Sequence, residues 1–75
     1  MHKPTSTLTP REHQIVALVV EGRSNREIAT RLGLSPQTVK NQLSVILDKL
    51  GVTSRVQLAV YAVRHHLEGH GQEEE

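Results

Sequence analysis

Apolar residues recur at intervals of three and four along most of this 75-residue chain, and no segment alternates apolar and polar residues. Recurrence every three or four residues is typical of an amphipathic α-helix, whereas strict alternation of apolar and polar residues would indicate a strand. The longest example contains Val39, Leu43, Ile46 and Leu50. The pattern therefore predicts an all-α fold in which even the Val-rich runs are helical.

Start and stop signals divide the chain into four predicted helices. Each begins after a Ser or Thr that can cap its first turn, and three of these residues are followed three positions later by Glu or Gln, as in a capping box. A glycine follows each helix, as at many helix C-termini. The capping residues are Thr9, Ser24, Ser35 and Ser54, and the glycines are Gly22, Gly33, Gly51 and Gly69. These signals predict a bundle of four short helices, the last ending near Leu67.

The chain is long enough for one small domain, which we assign to residues 8–68. Residues 1–7 are expected to form a flexible arm or linker, and residues 69–75 an acidic, disordered tail. There is no Cys, which excludes a disulfide framework and a thiolate metal site. No apolar run approaches the roughly 18–20 residues of a membrane span, and no signal peptide is visible. A cytoplasmic protein is therefore expected.

The formal net charge of +1 understates how basic the folded part is. Without the last three residues, all Glu, nine Lys and Arg stand against five acidic residues, a net charge of +4. This balance suits a polyanionic partner. One Tyr is the sole aromatic residue apart from His, which argues against single-strand binding by base stacking.

The connection between the second and third predicted helices is very short. Only Gly33 and Leu34 separate Leu32 from Ser35. Such a connection makes the two helices cross steeply, and glycine can adopt the positive φ that the turn requires. Ala29 is small at the point where the helices would approach each other. This arrangement is typical of a helix-turn-helix, whose second helix enters the DNA major groove.

The third helix has a polar face opposite its apolar one, since successive residues are ~100° apart around a helix. That face contains Gln37, Lys40, Asn41 and Ser44. Lys can donate to guanine or phosphate, Asn and Gln can pair with adenine, and Ser can do either. Asp48 lies further along the same face and would be repelled by phosphates. Only the first half of the helix is therefore expected deep in the groove; the alternative is an ordinary solvated face.

The chain resembles the LuxR-type (GerE, NarL/FixJ) helix-turn-helix domain found at the C-terminus of many bacterial response regulators. The resemblance spans residues 8 to about 67. Such a domain implies four helices, sequence-specific control of transcription and, usually, a dimer on paired DNA half-sites. The runs that carry the resemblance are LTPRE (8–12), GRSNREIATRLGLS (22–35), TVKN (38–41) and KLGV-x-SR (49–55).

The resemblance also implies roles for particular residues. Lys40 matches the main base or phosphate contact, Asn41 a neighbouring base contact, and Thr38 a phosphate contact. Asn25 lies where the family contacts the DNA backbone through a helix N-terminus.

Lys49 and Arg55 complete the DNA-binding set, with Lys49 and Arg26 expected to contact phosphate only. Two positions depart from the family. Many members have His or Tyr where this chain has Gln42, and some have Lys where it has Ser44. We expect a changed contact or base preference at the first and fewer charged contacts at the second.

The fourth helix is expected to bury one apolar stripe and present another to a partner. The core stripe is assigned to Val56, Ala59, Ala62 and Val63. The partner surface is assigned to Leu58, Tyr61 and His65. Because the family pairs through this helix, a homodimer is expected; the alternative is that Leu and Tyr are exposed without consequence.

A metal site, a cofactor and an enzymatic activity are not expected. His65, His66 and His70 are close in sequence, but Gly69 interrupts the helix and no carboxylate completes a site. There is no Gly-rich phosphate loop, nucleophile elbow or His-Glu pair at ligand spacing.

The predicted function is sequence-specific binding of double-stranded DNA by the effector domain of a bacterial response regulator. A receiver domain and RNA polymerase are possible further partners. A stand-alone GerE-like regulator, or a helix-turn-helix used for protein contacts, remains the alternative.

Overall fold

Four α-helices account for most of residues 8–66, the part of the chain that the computed structural model describes. They are α1 (Pro10–Val20), α2 (Asn25–Leu32), α3 (Pro36–Leu50) and α4 (Arg55–Arg64). No strand occurs within this range, which confirms the predicted all-α, four-helix fold. The predicted arm and the predicted tail lie outside the described residues.

The predicted capping boxes of the first two helices are both present. In α1, the Thr9 hydroxyl accepts the Glu12 N–H, and the Glu12 carboxylate accepts the Thr9 N–H at 2.8 Å. In α2, Ser24 and Glu27 make the same pair of bonds, the second at 2.9 Å. These bonds satisfy backbone donors that the first turn leaves without helical partners and so fix where each helix starts.

The expected box at the start of α4 is only half formed. Ser54 accepts the Gln57 N–H, as predicted. The Gln57 side chain, however, accepts from the N–H and hydroxyl of Thr53, at 2.9 and 3.0 Å. At the other end, α4 stops at Arg64 with His65 as its C-cap, earlier than the sequence predicted.

The core lies at the centre of the bundle, with α1 packed against all three other helices. In addition α2 packs on α3 and α3 packs on α4. The largest side chains that are fully buried are Ile15, Val16, Ile28, Val39, Ile46 and Leu58. None of the helices in residues 8–66 is long and apolar enough to cross a membrane.

The predicted core stripe of α4 is right for Ala59 and Ala62 but wrong for Val56 and Val63, and Leu58 is on the core side rather than the partner side. Leu58 and Ala62 are fully buried, whereas Val56 and Val63 are 73% and 51% exposed. Leu58 therefore belongs to the core and cannot contact a partner. The reason is that α4 carries apolar residues around most of its circumference, and packing against α1 buries the stripe that contains its largest aliphatic side chain.

Candidate nucleic-acid interface

The turn between α2 and α3 has the geometry that the sequence predicted. Gly33 caps α2 in the left-handed conformation, with φ 71° and ψ 33°. The next residue, Leu34, donates its N–H to the Ala29 carbonyl at 2.8 Å, and the Ser35 side chain then caps α3. Because so few residues connect the two helices, α3 is held in a fixed relation to α2, as in a helix-turn-helix.

The two faces of α3 differ as predicted. Its apolar residues, Val39, Leu43, Ile46 and Leu50, are buried in the core. Its opposite face is exposed along the first half of the helix and consists of Gln37, Lys40, Asn41 and Ser44. We call these four residues the α3 polar face. At ~1.5 Å per residue it extends for about 10 Å along the helix axis.

Two members of the α3 polar face are hydrogen-bonded to each other. The Gln37 amide nitrogen donates to Asn41 Oδ1 at 3.0 Å, one helical turn apart. This pairing restricts the rotation of both side chains and orients the Asn41 amide, whose nitrogen keeps its two hydrogens for another acceptor. The sequence contained the signal, an amide pair at i and i+4, but its significance was missed.

Thr38 lies at the edge of the α3 polar face and is half-buried. Its backbone N–H donates to the Ser35 hydroxyl oxygen at 3.0 Å, and its own hydroxyl oxygen accepts from Ser35 at 2.9 Å. The Thr38 hydroxyl hydrogen is therefore left to donate, which is compatible with the predicted phosphate contact.

The charge of residues 8–66 is strongly positive, with eight Lys and Arg against four Asp and Glu. Three of the four carboxylates already have partners: Glu12 with Lys49, Glu21 with Arg23, and Glu27 with the Ser24 backbone. Lys40 is exposed and makes no hydrogen bond or ion pair within this range. A field of this sign attracts a polyanion.

Lys49, predicted to contact DNA, is engaged within the protein. Its ammonium donates to both oxygens of the Glu12 carboxylate, at 2.8 and 3.1 Å. The side chains of Lys49 and Glu12 are only 29% and 11% exposed, so this ion pair joins the end of α3 to the start of α1. The charge of Lys49 is thus shared with Glu12, and its contact with phosphate stays a prediction.

The pKa of Glu12 reflects this environment. Burial by itself would raise the pKa, because it disfavours the charged carboxylate. The hydrogen bonds from Lys49 and from Thr9, together with the positive charge of Lys49, outweigh burial and lower the pKa below its ordinary value. Glu12 is therefore ionised at neutral pH, as the ion pair requires.

Arg55 and Asn25, assigned separately to DNA binding, are in contact. Arg55 Nη1 donates to Asn25 Oδ1 at 2.7 Å, and Nη2 donates to the Arg23 carbonyl oxygen at 2.6 Å. All three residues surround the start of α2, where backbone N–H groups are available to an anion.

Gln42, the position that departs from the family pattern, is half-buried on the flank of α3. Its Oε1 atom is buried and has no hydrogen-bond partner. Gln42 Oε1 is the one buried side-chain oxygen or nitrogen of the described residues without such a partner, and an unsatisfied buried acceptor costs free energy.

An apolar stripe runs along the outside of α4. It consists of Val56, Val60 and Val63, of which Val60 is 49% exposed, and we call it the α4 valine face. The rings of Tyr61 and His65 stack beside it with centroids 4.2 Å apart. Of the three residues predicted to face a partner, Leu58 is buried, Tyr61 is half-buried and His65 is exposed, and pairing through this helix stays a prediction.

Residues 8–66 contain no group of three or more His, Cys, Asp and Glu arranged to hold a metal ion. His70, one of the three histidines considered above, lies outside that range.

Comparison with known proteins identifies a family and several relatives. The model of the family described as "Bacterial regulatory proteins, luxR family" matches residues 6–62 of this chain. The transcriptional regulatory protein LiaR of Bacillus subtilis is 47% identical over 64 residues, which are 85% of this chain and 30% of LiaR. The DNA-binding transcriptional activator DevR/DosR of Mycobacterium tuberculosis is 46% identical over 79% of this chain and 27% of its own length.

The response regulator protein VraR of Staphylococcus aureus is 45% identical, over 80% of this chain and 29% of VraR. This chain thus spans less than a third of the length of each of these three relatives.

Proposed function

This chain belongs to the luxR family of bacterial regulatory proteins, and we propose that it binds double-stranded DNA with sequence specificity. In this proposal the first half of α3 lies in the major groove, and the chain is the effector domain of a longer, non-enzymatic response regulator. The names of VraR and DevR/DosR support the regulatory and DNA-binding parts. A cytoplasmic location follows, since bacterial DNA is there.

The observation that carries the proposal is the α3 polar face. Four exposed hydrogen-bonding side chains lie on the side of a helix whose other side is buried, directly after a tight turn. Lys40 can donate to guanine or phosphate, and Asn41 can form two bonds with adenine. Gln37 orients Asn41, and Ser44 lies at the far end of the face. Asp48, further along, is exposed and repels phosphates.

The test is selection of bound sites from random duplex DNA, followed by titration of the best site. Lys40→Ala and Asn41→Ala should each weaken specific binding by ~1–3 kcal/mol and relax the preference for particular bases. Arg31→Ala is the matched control, because Arg31 is an exposed cation on the last turn of α2 that lies beside Gln14 and Ala17 of α1. Unchanged affinity and selectivity in both α3 variants would contradict the proposal.

We further propose that two copies pair through the α4 valine face when bound to two half-sites. Its valines are spaced at i, i+4 and i+7 and form one apolar stripe, with Tyr61 and His65 at its edge. Contact with a second copy would remove this apolar surface from water.

Sedimentation with and without DNA carrying two half-sites tests the pairing. We expect two copies of the unsubstituted domain per duplex, and weaker, independent binding after Val60→Asp. Gln14→Asp, on the exposed surface of α1, introduces the same charge elsewhere and should leave pairing intact. Pairing that survives Val60→Asp would rule out this face.

A further inference from the structure

Arg55 connects two parts of the fold whose backbones do not meet. Within residues 8–66, α2 and α4 make no backbone approach to each other. From the first turn of α4, the Arg55 guanidinium nevertheless bonds Asn25 Oδ1 at 2.7 Å and the Arg23 carbonyl oxygen at 2.6 Å. These acceptors lie on either side of Ser24, the N-cap of α2. Because the guanidinium is planar and rigid, it fixes both acceptors relative to each other.

The same contact sets the polarity of the Asn25 amide. An amide has one acceptor oxygen and one nitrogen with two donor hydrogens, whereas a guanidinium offers donors only. With Oδ1 turned towards Arg55, the amide nitrogen is turned away from it. That nitrogen makes no hydrogen bond within the described residues. Its two donors, next to the first backbone N–H groups of α2, suit a DNA phosphate.

We propose that Arg55 is a positioning residue for DNA binding, acting through Asn25 and the start of α2 rather than as a phosphate ligand itself. The inference rests on the proposed function, because it assigns a role within the same interface. Two short hydrogen bonds would have to break before the guanidinium could turn fully towards a phosphate. Keeping them preserves the donor arrangement at the start of α2.

Four variants on one probe test this role. The probe is a 30-base-pair duplex of the sequence that the unsubstituted domain selects from random DNA. Arg55→Lys keeps the charge but cannot bond both acceptors as a fork. Asn25→Ala removes the contact from the other side, and a third variant carries both changes. Arg31→Gln, which removes an exposed charge without a hydrogen bond in residues 8–66, is the control.

Dissociation constants are measured over a range of salt concentrations, and melting temperatures verify folding. The positioning role predicts that Arg55→Lys weakens binding about as much as Asn25→Ala, and that the double variant binds no more weakly than either. The coupling between the two changes should be about 2- to 100-fold in affinity. Arg55→Lys and Asn25→Ala each disrupt the hydrogen bond between Arg55 and Asn25. If one of these variants does not fold, the other still tests the proposal.

A phosphate ligand would give a different result. Arg55→Lys would retain most of the affinity, and the losses of the two single variants would multiply in the double variant; either outcome overturns the proposal. In the DNA-free protein, Arg55→Lys should shift the backbone amide resonances of residues 24–27, and Arg31→Gln should not. Unchanged resonances also overturn it. If the unsubstituted domain selects no duplex, the proposed function fails first and this inference fails with it.

Discussion

Replacing Glu12 by Gln tests whether one carboxylate holds the start of α1 against the end of α3. Glu12 accepts two hydrogen bonds from the Lys49 ammonium, at 2.8 and 3.1 Å, and one from the Thr9 N–H at 2.8 Å. An amide can keep the bond from Thr9. It loses the negative charge, however, and replaces one acceptor with a donor that faces another donor.

The size of the expected loss in unfolding free energy depends on how exposed the Lys49–Glu12 ion pair is. Hydrogen bonds to charged groups contribute ~1.5–3 kcal/mol, and breaking a fully buried ion pair costs ~3–5 kcal/mol. The Lys49 side chain is 29% exposed, so its ammonium can regain water once the carboxylate is gone. We therefore expect Glu12→Gln to lower the free energy of unfolding by about 1–2 kcal/mol, or the melting temperature by about 5–15 °C.

The loss should depend on pH in a definite direction. The pKa of Glu12 is lower in the folded protein than its ordinary value, because the bonds from Lys49 and Thr9 outweigh burial. A carboxylate of this kind stabilises the fold above its unfolded pKa, about 4.3, and the stabilisation disappears as pH falls through the folded pKa. The difference between Glu12→Gln and the unsubstituted protein should be full at pH 7 and shrink below pH ~4.

Urea denaturation followed by circular dichroism, at pH 7 and pH 3, measures both effects. Glu27→Gln is the matched control, because Glu27 is the capping-box carboxylate of α2 but is exposed and accepts only the Ser24 N–H. It should cost no more than a cap, ~0.5–1 kcal/mol. Equal losses for the two variants, or a Glu12 effect that stays the same at pH 3, would refute the reasoning.

Three further predictions concern residues whose surroundings the structure defines. Leu58→Ala should cost ~2–5 kcal/mol of unfolding free energy by urea denaturation, because Leu58 is fully buried, whereas Val56→Ala should cost almost nothing. Gln42→Met should raise the free energy of unfolding by ~1 kcal/mol, since it removes a buried acceptor without a partner. Gln37→Ala should relax base selectivity at the position that Asn41 contacts, measured by site selection, because it removes the bond that orients Asn41. An unchanged free energy of unfolding for Leu58→Ala or Gln42→Met, or unchanged base selectivity for Gln37→Ala, would contradict the corresponding prediction.

The starts of the four helices and the ends of α2 and α3 could be predicted because their signals are local. A capping side chain bonds a backbone N–H three residues away, and a left-handed glycine ends the helix that it follows. The starts of all four helices, at Pro10, Asn25, Pro36 and Arg55, directly follow the predicted caps. The short turn before α3 depends on similarly few residues, and this is why the exposed α3 polar face could be named in advance.

The packing of α4 could not be predicted in the same way. Periodicity identifies a buried stripe when apolar residues occupy one side of a helix. In the ten residues of α4, apolar side chains occur on nearly every side, so the pattern alone allowed several stripes. Contact with α1 determines which stripe of α4 is buried: Leu58 and Ala62 are in the core, and Val56 is exposed.

The partners of long cationic side chains could not be predicted either, because one Lys or Arg can bind a carboxylate, a carbonyl or a phosphate equally well. The partners of Lys49 and Arg55 lie 37 and 30 residues away in sequence, so only the tertiary fold selects them. Half of the eight basic residues in the described range are engaged with the protein. The four that make no hydrogen bond or ion pair there are Arg26, Arg31, Lys40 and Arg64.

The number of basic residues that make no bond within the protein affects the affinity for DNA. Each phosphate neutralised by a cation contributes to binding and to its salt dependence, so few free cations mean few such contacts per domain. A single domain should therefore bind one half-site weakly. Joining two domains makes the second binding event intramolecular, so the contacts of the second copy add to those of the first without a second full cost of association. The four unpaired cations of residues 8–66 and the exposed α4 valine face therefore lead to one prediction: if two copies pair as proposed, they bind two half-sites much more tightly than one copy binds a single half-site.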